Sequence, residues 1–197
     1  EDEKLWEFSH AFTKKVGAKG WLGLNWPTEF GGLGRPPIDR MIMSEEFEYR
    51  EAPLSGSIGW GLTAGSLLAG GTEEQKKYWL PRLGRMDLHV AEGLSEPGAG
   101  SDLASLRSTA RRDDERGGWV LNGQKTWSSR AALAHWGFGL FRSDPQAQRH
   151  AGLTYFLFPL DAEGVTVRPI AQLDGEAGFA EVFFEDVFVP DADVLGG

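Results

Sequence analysis

From the N-terminus, apolar residues recur at helical spacing. Leu5, Phe8, Phe12 and Val16 lie three or four residues apart and predict a single apolar stripe on a helix, with Gly17 and Gly20 placed to stop it. A Gly- and Pro-rich link from Gly31 to Pro37 leads into a second, charged helical segment, Ile38 to Glu51. Ala52-Pro53 closes that segment, because a residue before proline is pushed out of the helical region. Thr72-Glu73-Glu74-Gln75 has the form of a capping box. The Thr hydroxyl can accept from the Gln75 N–H while the Gln side chain reaches back to the Thr72 N–H, and the two acids suit the positive end of a helix. A helix is expected to start at Thr72 and to end or kink near Pro81.

From Leu88 onward the period changes from helical to alternating. Trp119-Val120-Leu121 and Gln124-Lys125-Thr126-Trp127 flank Asn122-Gly123, a dipeptide that accepts the positive φ angles of a type I′ turn, so a hairpin is predicted there. Further β-rich runs are Trp136 to Phe141, Leu153 to Leu160, Val165 to Ile170 and Ala180 to Val189. Short strands at this spacing suggest a barrel or sandwich. The pattern therefore divides the chain into a helical domain, residues 1–87, and a β domain, residues 88–197. No internal repeat or low-complexity tract interrupts it.

Composition narrows the function classes. The 197 residues are 41% hydrophobic and 25% charged, ordinary for a globular protein, and no run is long and apolar enough for a membrane span. Cys is absent, which excludes disulfides, thiolate nucleophiles, Cys-ligated zinc and iron–sulfur clusters. No basic segment followed by an apolar stretch opens the sequence, and a cytoplasmic location is expected. A net charge of −9 works against binding a nucleic-acid backbone or an anionic membrane and favours a small-molecule or protein partner. Residues 158–197 hold nine acids against Arg168 alone, a pattern read as a solvated face. His10, His89, His135 and His150 are scattered without ligand-like spacing, so no metal site is expected.

The densest functional signal is Gly93-Leu94-Ser95-Glu96-Pro97-Gly98-Ala99-Gly100-Ser101-Asp102, directly after a predicted strand. Glycines let backbone approach a ligand closely, and hydroxyls with free N–H groups suit a polar or anionic one. The same residues also describe a plain loop in which Ser101 or Asp102 makes local backbone bonds. Leu103 stands where a dinucleotide fingerprint needs its third Gly, and Pro97 stands where a nucleophile elbow needs Gly, so neither template applies. Trp127 also admits two readings. It is a core aromatic on a strand, or, beside Ser128 and Ser129, a plane on which a ring stacks.

In this order the motifs resemble the acyl-CoA dehydrogenase family, FAD-dependent enzymes that introduce an α,β double bond into acyl-CoA thioesters. The resemblance rests on Trp26-Pro27 with Phe30-Gly31-Gly32-Leu33-Gly34, and on Gly71-Thr72-Glu73-Glu74-Gln75-Lys76-Lys77 before Leu80-Pro81. It continues through Ser95 to Asp102, Asn122-Gly123-Gln124-Lys125 with Trp127, and Val182 to Val187 before Val189-Pro190. It implies an α+β fold, an N-terminal helical domain followed by an antiparallel β-barrel domain.

By this resemblance Leu94, Ser95, Gly100 and Ser101 line the flavin, with Ser101 also facing the acyl-CoA. Trp127 packs against the flavin ring, and Ser128 and Ser129 offer backbone and hydroxyl contacts to its polar edge. Ser95 and Ser129 stand where Thr is usual; Glu92 and Arg130 are larger departures. The family's catalytic Glu belongs to a C-terminal helical domain, and no Glu in 1–197 matches it, so no catalytic base is assigned here. The resemblance implies an oxidoreductase of fatty acid and lipid metabolism, an oligomer built from copies of itself or with a second subunit, passing electrons to an electron-transferring flavoprotein. Two alternatives stay open: a flavin-dependent monooxygenase or oxidase on the same scaffold, and a non-catalytic acyl-CoA-binding subunit.

Overall fold

The computed structural model describes residues 2–196. The chain divides into two compact units, one ending at His89 and the other starting at Val90.

The first unit is helical. Helix α1 is Asp2–Ala18, α2 is Pro37–Tyr49, and a π-helical turn at Ile58–Thr63 runs into α3, Ala64–Gly70; α4 is Glu73–Gly84. The stripe expected on α1 is buried only toward its C-terminal end. Val16 joins Leu22 and Met86 in a small core with Phe12, Phe47, Leu54 and Trp60 against it, whereas Leu5 and Phe8 are exposed. What α1 buries next to Val16 is polar: Thr13 donates its hydroxyl to the Ser9 carbonyl and accepts from the Ser55 N–H.

The capping box forms in full, with Gln75 N–H donating to the Thr72 hydroxyl (3.2 Å) and Thr72 N–H to the Gln75 side-chain Oε1 (3.0 Å). Pro81 does not end α4, which continues to Gly84. Trp79, Leu80 and Leu83 are buried on that turn, and their packing outweighs the one backbone bond proline removes. No helix among the described residues is long and apolar enough to cross a membrane.

The second unit is one seven-stranded sheet. Its strands are β1 (Val90–Gly93), β2 (Thr109–Asp113), β3 (Gly118–Ser129), β4 (Trp136–Arg142), β5 (Leu153–Pro159), β6 (Val165–Ile170) and β7 (Phe179–Pro190). The order is β1-β4-β2-β3-β7-β6, with β5 on the other edge of β4. Pairing is antiparallel except where β1 runs parallel to β4 over Val90–Gly93 and β2 meets β4 in parallel at Thr109 and Arg142. The sheet is therefore mixed rather than purely antiparallel, because a long excursion carries the chain from β1 through β2 and β3 before β4 returns beside β1.

The sheet curls over its own core. Phe141 on β4 and Phe184 on β7 are three strands apart in the order, roughly 14 Å on a flat sheet. Their rings nevertheless meet edge to face at 5.1 Å. Phe158 joins at 4.9 Å from Phe184, and Ala91, Ala110, Leu121, Phe156, Val182 and Val187 complete the interior.

The expected hairpin at Asn122-Gly123 is not formed; both residues lie inside the unbroken strand β3. The register shift opposite them places an extra residue on β7, where Asp186 takes φ +53. Asn122 holds that bulge through Nδ2 to the Asp186 carboxylate (2.9 Å) and Oδ1 from the Asp186 N–H (3.0 Å). Gly123 is needed for another reason than a turn: its φ is +142, and a Cβ would fall 2.2 Å from the Ser108 hydroxyl. The turn into β3 instead comes earlier, at residues 114–117 between Asp113 and Gly118.

Candidate functional site

Two segments of the β unit carry the residues singled out by sequence, the loop following β1 and the C-terminal end of β3. The loop starts at Leu94 and doubles back at Pro97-Gly98, closed by reciprocal backbone bonds between Glu96 and Ala99 (2.8 and 3.1 Å). Leu94 and Ser95 are half-buried; Gly100 and Ser101 lie exposed beyond the turn, and a Cβ at Gly100 would meet nothing within 4 Å.

At the end of β3 the alternation of faces is reset. Between Lys125 and Ser128 the strand has one more residue than β7, a bulge. Trp127 takes φ +59, a left-handed conformation that costs an aromatic residue about 1 kcal/mol or more. The result is that Lys125 and Ser128 both turn inward while Trp127 stands 55% exposed, touching Phe179 edge to face at 5.9 Å. Among the described residues the buried Ser128 hydroxyl has no hydrogen-bond partner; Ser129 is half-buried and pairs with Phe179.

The two segments meet. Thr126 N–H donates to the Ser95 carbonyl at 2.9 Å, which sets Leu94-Ser95 beside Trp127. Directly beneath is a buried ion pair that the sequence reading passed over. Lys125 is fully buried, and its Nζ donates to the Glu96 carboxylate (2.8 Å) and to the Leu140 carbonyl on β4 (2.7 Å), 4.9 Å from the Phe141 ring. Glu96 also accepts from the N–H groups of Arg107 (2.6 Å) and Ser108 (2.9 Å).

Burial works to raise the Glu96 carboxyl, but the bonds from Lys125, Arg107 and Ser108 outweigh it and hold its pKa below the usual range. Burial pulls Lys125 down, opposed by Glu96. The sequence carries almost no signal for this pair, since Lys125 stands between the polar Gln124 and Thr126 and its partner is 29 positions away. On β1, burial raises the Glu92 carboxyl, two residues before Leu94.

An exposed indole face held out by strained backbone, beside a loop with open space at Gly100, fits a planar ring with a polar edge. Two family models match the chain. Residues 1–87 match the family model for the acyl-CoA dehydrogenase N-terminal domain, and residues 91–187 match that for the middle domain. The chain belongs to the acyl-CoA dehydrogenase family.

Acyl-CoA dehydrogenases are in general FAD-dependent. Among them, acyl-CoA dehydrogenase IpdE1 of Mycobacterium tuberculosis is 43% identical over 197 residues, covering 100% of this chain and 50% of that protein. A subunit in the crystal structure of the ChsE4-ChsE5 complex from Mycobacterium tuberculosis superposes with a TM-score of 0.86 at 37% identity, over 96% of this chain and 48% of that one. The Tcur3481-Tcur3483 steroid ACAD gives 0.86 at 35% identity, again over 96% and 48%. The chain thus spans about half the length of the acyl-CoA dehydrogenases it matches.

Proposed function

We propose that this chain supplies the flavin-facing and part of the acyl-CoA-facing wall of an FAD-dependent acyl-CoA dehydrogenase, with the contacting residues in its β domain, 88–197, which follows its helical domain, 1–87. The observation that carries this reading is Trp127, exposed at φ +59 next to Ser95. In this role its indole packs against the flavin ring, and Leu94, Ser95 and the backbone of Ser128 and Ser129 orient the polar edge. The Ser128 hydroxyl is closed off from solvent, so Ser128 offers backbone there. Gly100 lets the loop approach closely, and Ser101 faces the acyl-CoA.

The chemistry a flavin held there would supply is an acceptor for the hydride lost from the β carbon. Hydrogen-bond donors aimed at the thioester carbonyl acidify the α proton by stabilising the charge that develops there. The carboxylate that removes that proton lies outside these 197 residues, in the half of the relatives' length that the chain does not span. Electrons leave to an electron-transferring flavoprotein. The ChsE4-ChsE5 relative was solved as a complex, which supports an oligomer formed with further copies or with a second subunit.

The test is native mass spectrometry of the whole purified protein followed by anaerobic acyl-CoA addition. Bound FAD whose visible band bleaches on addition, with enoyl-CoA formed, supports the dehydrogenase. Oxygen consumption without enoyl product points to an oxidase or monooxygenase, and a flavin-free protein that binds acyl-CoA points to a non-catalytic module.

A further inference from the structure

We infer that Glu96 and Lys125 are positioning residues for the flavin site, their buried ion pair setting the separation between the loop after β1 and the bulged end of β3. This rests on the reading of Trp127 and Ser95 as flavin contacts and concerns residues that touch neither ring nor substrate.

The connectivity is specific. Ser95 and Glu96 are chain neighbours on one segment, and Lys125 and Thr126 are neighbours on the other. The Thr126-to-Ser95 backbone bond and the Lys125-to-Glu96 ion pair are therefore adjacent rungs between the same two strands of chain, 2.9 and 2.8 Å long. Through its carboxylate, Glu96 is tied as well to the Arg107 and Ser108 amides, and through Nζ, Lys125 is tied to Leu140 on β4. The pair ties both segments to the residues leading into β2 and to β4, which opposes sliding of the loop along β3.

Stability alone is a poor reason for such a pair. It sits under Phe141 in an interior otherwise filled by phenylalanine and aliphatic side chains, and replacing a buried ion pair by apolar groups of similar volume is often neutral or stabilising. What an apolar pair cannot supply is direction. Charge-assisted bonds at fixed geometry set the register of the loop, and the next residue along β3 after Thr126 is the exposed Trp127. Gly93 is part of the arrangement: a Cβ there would lie 3.3 Å from Lys125 Cγ and 3.1 Å from the Phe138 carbonyl, so any side chain at 93 would press on the lysine stem and on β4.

The experiment compares Lys125→Met, Glu96→Gln and the double variant with the wild type, each in the whole protein. Three quantities are read: FAD Kd, the flavin reduction potential with its visible spectrum, and Tm. The single variants are expected to lower Tm and to weaken FAD binding at least tenfold. The double variant is expected to return Tm to near the wild-type value, because no unpaired charge is left buried, while retaining the weakened Kd and a shifted potential and spectrum. A double variant with wild-type Tm, Kd and potential overturns the inference. So does one that fails to fold, since the pair is then a requirement of the core and not a positioning device. Wild-type protein that takes up no FAD overturns the flavin reading itself, and this inference with it.

Discussion

At Trp127 a single torsion decides what the side chain does. On a regular strand its indole would alternate into or out of the sheet with its neighbours; the bulge between Lys125 and Ser128 instead buries both of those and turns the indole out. Trp127→Ala in the whole protein is expected to weaken FAD retention about tenfold, or ~1.4 kcal/mol, with the far-UV spectrum of the β unit unchanged. Equal flavin occupancy in variant and wild type would remove the stacking role. Ser128, one residue on, buries a hydroxyl with no partner among the described residues. Ser128→Ala should raise stability by about 1 kcal/mol, read as a Tm increase of roughly 2–4 °C, because the desolvation cost of that hydroxyl disappears. Asp193 offers a pH test. Burial raises its carboxyl from 3.8 to about 6, so the folded state holds that proton more tightly than the unfolded one and the associated stability is lost as pH rises through about 6. Denaturation of Asp193→Asn against wild type should show the variant relatively more stable above pH 6, with the difference closing toward pH 4.

Among the elements, those whose local chemistry is self-contained are the most legible. The Thr72-Gln75 box is satisfied by residues three apart, so it is visible in sequence and present in the fold. Thr72→Ala is expected to cost about 1 kcal/mol by chemical denaturation, with the N–H groups of the first turn of α4 exchanging faster. Elements whose outcome depends on a distant partner are legible only in part. Pro81 carries a strong local stop signal, yet the burial of Trp79, Leu80 and Leu83 keeps α4 going past it. Asn122-Gly123 has the composition of a turn, yet β7 supplies a bulge through Asp186 and Ser108 crowds Gly123, so β3 runs straight through. A dipeptide states which φ angles it tolerates, and the strand opposite decides which are used.

For the whole molecule, the half-length match to full acyl-CoA dehydrogenases leads to a direct expectation. Residues 1–197 expressed alone should form no enoyl-CoA from acyl-CoA, whereas the complete protein should; product from the homogeneous 197-residue chain would show that the base lies within it. The sequence by itself determined what periodicity and short motifs can encode: helices before strands, the capping box, the apolar strand runs, and the family membership that the Ser95–Asp102 and Trp127 motifs signal. The helix and strand patterns and the capping box follow from interactions between residues close in the chain, and the family membership from the resemblance of the motifs. Only the tertiary structure decided that β4 returns beside β1 to make the sheet mixed, and that Phe141 and Phe184 meet across three strands. It alone decided that Glu96 and Lys125, 29 positions apart, pair under the loop. An ion pair buried among phenylalanines leaves almost no trace in local pattern, because the charge of each residue is compensated by a partner that only the folded sheet brings within hydrogen-bond distance.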